Sequence, residues 1–118
     1  MASTVGIQDA LVVRFTITGD ATGGDNYTMT RPADVLDTTV TATATSGGGT
    51  VTVGKGASAI TNAIACATNN AVVRAGTIAT ANASLAVGDS LRVTTSNAAD
   101  RGIVTVLLCP PLADQQTV

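Results

Sequence analysis

The residues that could perform chemistry in this 118-residue chain are few and lie far apart. Asp20, Asp25 and Asn26 stand on a Gly-rich stretch, and oxygen ligands on such a loop can bind Ca²⁺. The spaced acidic pattern of an EF-hand is missing, however, and the chain contains no Glu. The stretch is therefore interpreted as a solvated turn, with a calcium site as the alternative.

Two further groups of residues suggest chemistry only superficially. Asp34 and Asp37 could form a carboxylate pair, but no basic partner or pocket is evident from the sequence, which favours a loop-capping role. The glycines at 47–49 and the Gly-Lys-Gly stretch at 54–56 lack the Gly-x4-Gly-Lys-Ser/Thr spacing of a phosphate-binding loop. Both are predicted to be turns.

The absence of His removes the commonest general base and the commonest metal ligand. The two cysteines, Cys66 and Cys109, are too few for a metal site or a disulfide framework, and we expect them to be buried free thiols. No nucleophile, base and orienting group can be assembled. We therefore predict that the chain is not an enzyme and takes no cofactor and no small-molecule substrate.

Charge argues against nucleic acid and membranes as partners. The formal net charge is −2, and the six basic residues are scattered singly, so no basic stripe can follow a phosphate backbone. No stretch approaches the ~20 apolar residues of a membrane-spanning helix. Residues 1–8 carry no export signal, which predicts synthesis in the cytoplasm. Only 12% of residues are charged, about half the usual fraction, so much of the surface is expected to be covered by copies or partners.

The elements that would position these residues are predicted to be strands. Thr and Val dominate the chain, and their branched side chains favour pleated sheets. Alternation of apolar and polar residues predicts strands at Leu11–Ile17, 27–30, 35–45, 50–53, Val72–Arg74, 85–87, Ser90–Thr95 and 103–108. Gly-rich turns between short strands indicate an all-β fold, an antiparallel β-sandwich or a jelly-roll-like barrel.

Four local features carry further expectations. The strands at 35–45 and 50–53 are predicted to form a hairpin through the glycines at 47–49. The apolar side of the first of these strands is mostly Ala, so another backbone must approach it closely. Residues 57–67, with a strand or short helical turn at 59–65, and residues 77–84 are the only helix candidates. Residues 103–108 are apolar on both faces, which predicts a central strand or one at a subunit interface.

Several phrases in residues 35–108 together resemble the small head decoration, or cement, proteins of tailed bacteriophages. The phrases are TVTV with a Gly-bearing turn, AITNAI, VVRAGTI, AVGDSLRVT and a final apolar strand. The resemblance implies a β-sandwich that trimerises on the outside of an icosahedral head and ties neighbouring capsomers together. We accordingly expect a structural virion protein on the outer capsid surface, with itself and the major capsid protein as partners. The alternative is a β-sandwich binding module of a phage tail fibre or bacterial surface adhesin.

This hypothesis gives the chain one domain, residues 1–118, with an N-terminal segment at 1–8 and an extended C-terminal tail at 109–118. The termini are expected to reach neighbours, and Arg is favoured over Lys for fixed pairs at interfaces. The predicted subunit or capsid contacts are Met1, Ala2, Ser3, Thr4, Val5, Arg74, Arg92, Arg101, Pro110, Pro111 and Leu112.

Overall fold

The computed structural model describes residues 11–111, and these form two antiparallel β-sheets that pack face to face around one apolar core. The predicted all-β sandwich is confirmed. The ten strands are β1 (Leu11–Ile17), β2 (Asp25–Thr28), β3 (Ala33–Ala42), β4 (Thr50–Lys55), β5 (Ser58–Ala59), β6 (Ile64–Ala65), β7 (Val72–Arg74), β8 (Ser84–Leu85), β9 (Ser90–Thr95) and β10 (Gly102–Cys109). Within this part of the chain no helix is long and apolar enough to span a membrane.

The first sheet has the order β1-β10-β3-β7, with β8 also beside β3, and the second has the order β2-β9-β4-β5, with β6 also beside β4. β10 is the central strand predicted for 103–108, since β1 pairs along one edge and β3 along the other. Val104, Val106 and Leu108 point inward and have no exposed surface. The second sheet covers only this inner side of β10, whereas Leu107 on the outer side keeps 37% of its surface exposed.

A β-bulge in β3 changes which of its residues face the core. Val35 stands opposite Leu108 and Asp37 opposite Leu107, so Leu36 is an extra residue in the ladder. Beyond it the inward positions are Thr38, Val40 and Ala42, and Leu36 is left 53% exposed. Gly102 stands opposite Ala42, and a Cβ at Gly102 would lie 2.6 Å from the Thr41 carbonyl oxygen.

The predicted hairpin between residues 35–45 and 50–53 is wrong. β3 lies in the first sheet and β4 in the second, so the glycines at 47–49 belong to a connection between the two sheets. Between β4 and β9, by contrast, Val51 stands opposite Thr95 and Val53 opposite Val93. Both sheets must bury their apolar sides in one core. The chain does this by passing from the first sheet to the second, whereas a hairpin would keep both strands in the same sheet.

Neither helix candidate is a helix, and at 59–65 the strand alternative holds in part. In residues 57–67 the chain makes β5 and β6, which both pair with β4. The Thr61 hydroxyl accepts a hydrogen bond from the Val53 N–H at 3.1 Å and donates one to the Asn62 carbonyl at 2.8 Å. The backbone N–H and C=O groups along the edge of β4 need hydrogen-bond partners. β5 and β6 supply these partners, which a short helix at the same place would not do. Residues 77–84 form turns that lead into β8.

Candidate functional site

The outer face of the first sheet carries a set of exposed aliphatic side chains. Val12 on β1 stands directly opposite Leu107 on β10, which in turn stands opposite Asp37 on β3. The bulge turns Leu36 outward beside them, and Val72 projects from β7. Val12 is 48%, Leu36 53% and Val72 66% exposed. We call Val12, Leu36 and Leu107 the apolar face; Val72 stands opposite Thr41 and is separated from these three by the row that holds Arg14 and Arg74.

An ion pair lies within the apolar face. The Arg74 Nε on β7 lies 2.7 Å from the Asp37 Oδ2 on β3, and Asp37 Oδ1 accepts a hydrogen bond from the Thr38 N–H at 2.8 Å. The Arg74 side chain is 74% exposed, so the pair contributes little to stability as it stands. Asp37 therefore has a basic partner after all, and both Asp34 and Asp37 lie on a strand, so the predicted loop-capping role is wrong.

The outer face of the second sheet is polar instead. Its outward residues on β4 and β9 are threonines and a serine, together with Gly54 and Arg92. Arg92 Nη2 donates a hydrogen bond to the Gly23 carbonyl at 2.6 Å. The guanidinium group lies against Gly24, where a Cβ would be 2.2 Å from Nε. Both outer faces therefore carry threonines, and in the described strands the large exposed aliphatic side chains lie only on the first sheet.

The loops at one end of the sandwich enclose a buried carboxylate. Asp100 has no exposed surface, and neither of its carboxylate oxygens has a hydrogen-bond partner among residues 11–111. Its neighbour Arg101 folds back and donates from Nη1 to the carbonyls of Ala98 and Asp100, at 2.6 and 2.9 Å. Arg101 therefore stabilises its own loop.

The three predicted arginine contacts are not brought together. Arg74 lies on the outer face of the first sheet, Arg92 on that of the second, and Arg101 at the end of the sandwich. Pro110 and Pro111 directly follow β10. Met1, Ala2, Ser3, Thr4, Val5 and Leu112 lie outside the described residues, as do most of the two predicted terminal segments.

The two thiols are unsuited to nucleophilic chemistry. Burial raises the pKa of the Cys66 thiol, and the nearby Asp100 carboxylate raises it further. Burial, with a smaller contribution from Asp34, also raises the pKa of Cys109. Cys66 is buried as predicted, whereas Cys109 is only half-buried. The two thiols lie at opposite ends of β10. Cys66 Sγ lies 3.6 Å from the carbonyl oxygen of Arg101, which directly precedes β10, and Cys109 is the last residue of that strand, whose length is about 23 Å at 3.3 Å per residue.

The Gly-rich stretch that suggested calcium is a turn. Asp20 Oδ1 accepts hydrogen bonds from the Thr22 N–H at 2.9 Å and the Thr22 hydroxyl at 2.7 Å, and these bonds lower the pKa of Asp20. Asp25 and Asn26 begin β2. No group of three metal-binding side chains occurs between residues 11 and 111.

The sequence interpretation missed the apolar face as a set. The alternation of apolar and polar residues places Val12 and Leu107 on the solvent side of their strands. An apolar residue at such a position indicates an exposed apolar surface, so these two could have been identified from the sequence. Leu36 carries no such signal, because only the bulge turns it outward.

Comparison of this chain with protein-family models, with curated protein sequences and with solved structures finds no match.

Proposed function

We propose that this chain is a structural virion protein, a decoration or cement protein that binds the outer surface of a phage head as a homotrimer. The observation that carries the proposal is the apolar face, because clustered exposed aliphatic side chains mark protein–protein contacts. The confirmed β-sandwich and the phrases in residues 35–108 support the same function. The chain would be made in the host cytoplasm and act on the assembled head.

In this proposal the apolar face packs against a neighbouring copy. Interface centres are poor in charge and rich in apolar side chains and Arg. The apolar face has this composition, since Val12, Leu36 and Leu107 lie beside the Arg74–Asp37 pair and one further arginine, Arg14, which is exposed two residues along β1 from Val12. Covering the pair would remove it from water, so its hydrogen-bonded geometry would then fix the orientation of the neighbour.

The chain ends are proposed to contact the major capsid protein. Leu11 stands opposite Leu108, so the chain enters β1 and leaves β10 at the same end of the first sheet. The residues that precede Leu11 and those that follow Cys109 are therefore attached to the sandwich at the same end of this sheet. Many weak contacts of this kind, repeated over a shell, would stabilise neighbouring capsomers without a catalytic step.

The proposal is tested by cosedimentation of the purified chain with phage heads that lack their decoration protein. We expect saturable binding and a higher melting temperature of the heads. Leu107→Asp should bind more weakly because it places a charge in the apolar face. The matched control is Val87→Asp, an equally drastic change at a 63% exposed turn residue outside that face. An unchanged melting transition at saturating occupancy would contradict the stabilising role.

A second candidate is a binding module of a tail fibre or bacterial surface adhesin. It is favoured by the hydroxyl-rich outer face of the second sheet, where Arg92 lies in a groove. Such a module would bind its ligand without the apolar face being covered. Ligand binding that survives in a monomeric Leu107→Asp variant, with no binding of heads by the wild type, would favour this candidate.

A further inference from the structure

The second sheet carries a groove of about 310 Å³ on its outer face. Its floor is the outward side of β4 and β9, where Thr52 stands opposite Thr94, and Gly54 opposite Arg92. The turn between β4 and β5 forms one wall, with Gly56, Ala57 and Ala59. This volume is at the lower end of the range of small-ligand sites.

The groove exists because its middle row has almost no side chains. Across the sheet, Arg92 is followed by Gly54 on β4 and then by Ala59 on β5. A Cβ at Gly54 would lie 2.8 Å from the Ser58 carbonyl oxygen, so the tight β4–β5 turn excludes a side chain at this position. Arg92 is thus the only long side chain in the row.

The positive charge of Arg92 is held in place but is not neutralised. Nη2 donates to the Gly23 carbonyl, and the guanidinium lies on the backbone of Gly24, whose φ of 87° suits glycine. The Nε group is buried without a hydrogen-bond partner. Among residues 11–111, no acidic side chain pairs with Arg92 and none lines the groove. A fixed guanidinium without a counter-charge is a preorganised site for an anion.

We propose that this groove binds a small oxyanion, the chemistry shared by carboxylates and phosphates. The Arg92 guanidinium would supply the charge-assisted hydrogen bonds. Threonine hydroxyls along the floor, at positions 50, 52 and 94, would bind further oxygen atoms of the same ligand. The site is separate from the apolar face, which lies on the other sheet, so it does not depend on the proposed virion function.

The test is an NMR titration of the isotope-labelled full chain with sodium citrate and, separately, with inorganic phosphate, at constant ionic strength and pH 7. We expect saturable shifts confined to the amides of β4 and β9 and the Gly23–Gly24 turn. Stronger binding of citrate would identify a carboxylate ligand, and stronger binding of phosphate a phosphate ligand. Arg92→Gln should weaken binding by about tenfold or more, as expected for loss of a charged hydrogen-bond donor. Thr52→Val, which removes one hydroxyl at constant shape, should weaken it a few-fold.

Arg14→Gln is the matched control, because Arg14 is an exposed arginine on β1 of the other sheet. It should leave the affinity unchanged, and the spectra of all variants report directly whether the fold is intact. Two results would overturn the proposal. One is the absence of saturable shifts with both anions. The other is a set of shifts that appears equally around every arginine or persists in Arg92→Gln.

Discussion

Replacing Asp100 with Ala is expected to stabilise the fold, although Asp100 is among its most buried residues. Both carboxylate oxygens are shielded from water and lack partners in the described part of the chain. An unsatisfied buried polar group costs ~1–3 kcal/mol, and a charged one more. The substitution removes this cost and leaves only a small cavity, so we expect the free energy of unfolding to rise by ~1–2 kcal/mol.

Gly49, which lies next to the Asp100 carboxylate, allows a second test of the same argument. A Cβ at Gly49 would lie 1.6 Å from Asp100 Oδ1, so Gly49→Ala cannot be accommodated unless the carboxylate moves. Overpacking of this kind costs ~1–3 kcal/mol. In an Asp100→Ala background the same methyl group would fill the vacated space, and its cost should fall below ~0.5 kcal/mol. The control is Gly19→Ala, since nothing lies within 4 Å of a Cβ there.

The assay is urea unfolding of the four proteins of this double-mutant cycle, followed by far-UV circular dichroism because the chain has one Tyr, one Phe and no Trp. All samples are compared at one protein concentration, since oligomerisation would add to the apparent stability. An equal cost of Gly49→Ala in both backgrounds would refute the steric argument. A loss of stability in Asp100→Ala would show that its carboxylate is satisfied in the fold.

Three further predictions concern titration, thiols and termini. Because the pKa of Asp20 is lowered, its contribution to stability is present above the ordinary Asp pKa and is lost as the pH falls through the lowered value. Asp20→Asn should therefore slightly reduce the loss of stability at acid pH, measured as the free energy of unfolding against pH. The raised pKa values lower the thiolate fraction of both cysteines. A thiol-specific reagent at pH 8 should therefore label half-buried Cys109 slowly and buried Cys66 only after unfolding, and labelling of native Cys66 at the rate of a free thiol would be contrary evidence. Deleting Met1–Val5 or 112–118 should leave the proposed trimer folded and weaken the proposed binding to heads in cosedimentation, whereas loss of the trimer itself would assign these segments to the subunit interface.

Sequence alternation located three strands to the residue, and two of them, β1 and β9, have one clearly buried side. β1, β7 and β9 begin and end at the predicted residues. In β1 and β9 the apolar residues recur at every second position, and this period is set by strand geometry alone. Such local information requires no knowledge of which strands are neighbours.

The errors arose where pairing depends on distant residues. The glycines at 47–49 indicate a turn, but only the packing of the two sheets decides that the chain crosses between them. Ile60 and Ile64, spaced four apart, suggested a helix, yet both are buried beside β4 because its edge is open to them. The Leu36 bulge and the buried Asp100 likewise follow from cross-strand register and loop closure, which no local pattern contains.

The most direct test of the proposed trimer is the molar mass of the isolated chain, measured by light scattering at micromolar concentration. The account predicts a mass three times the 11.6 kDa of the chain for the wild type. It predicts the single-chain mass for Leu107→Asp with an unchanged sheet spectrum, and the wild-type mass for Val87→Asp. A single-chain mass for the wild type, or a trimer that Leu107→Asp leaves intact, would contradict the role assigned to the apolar face.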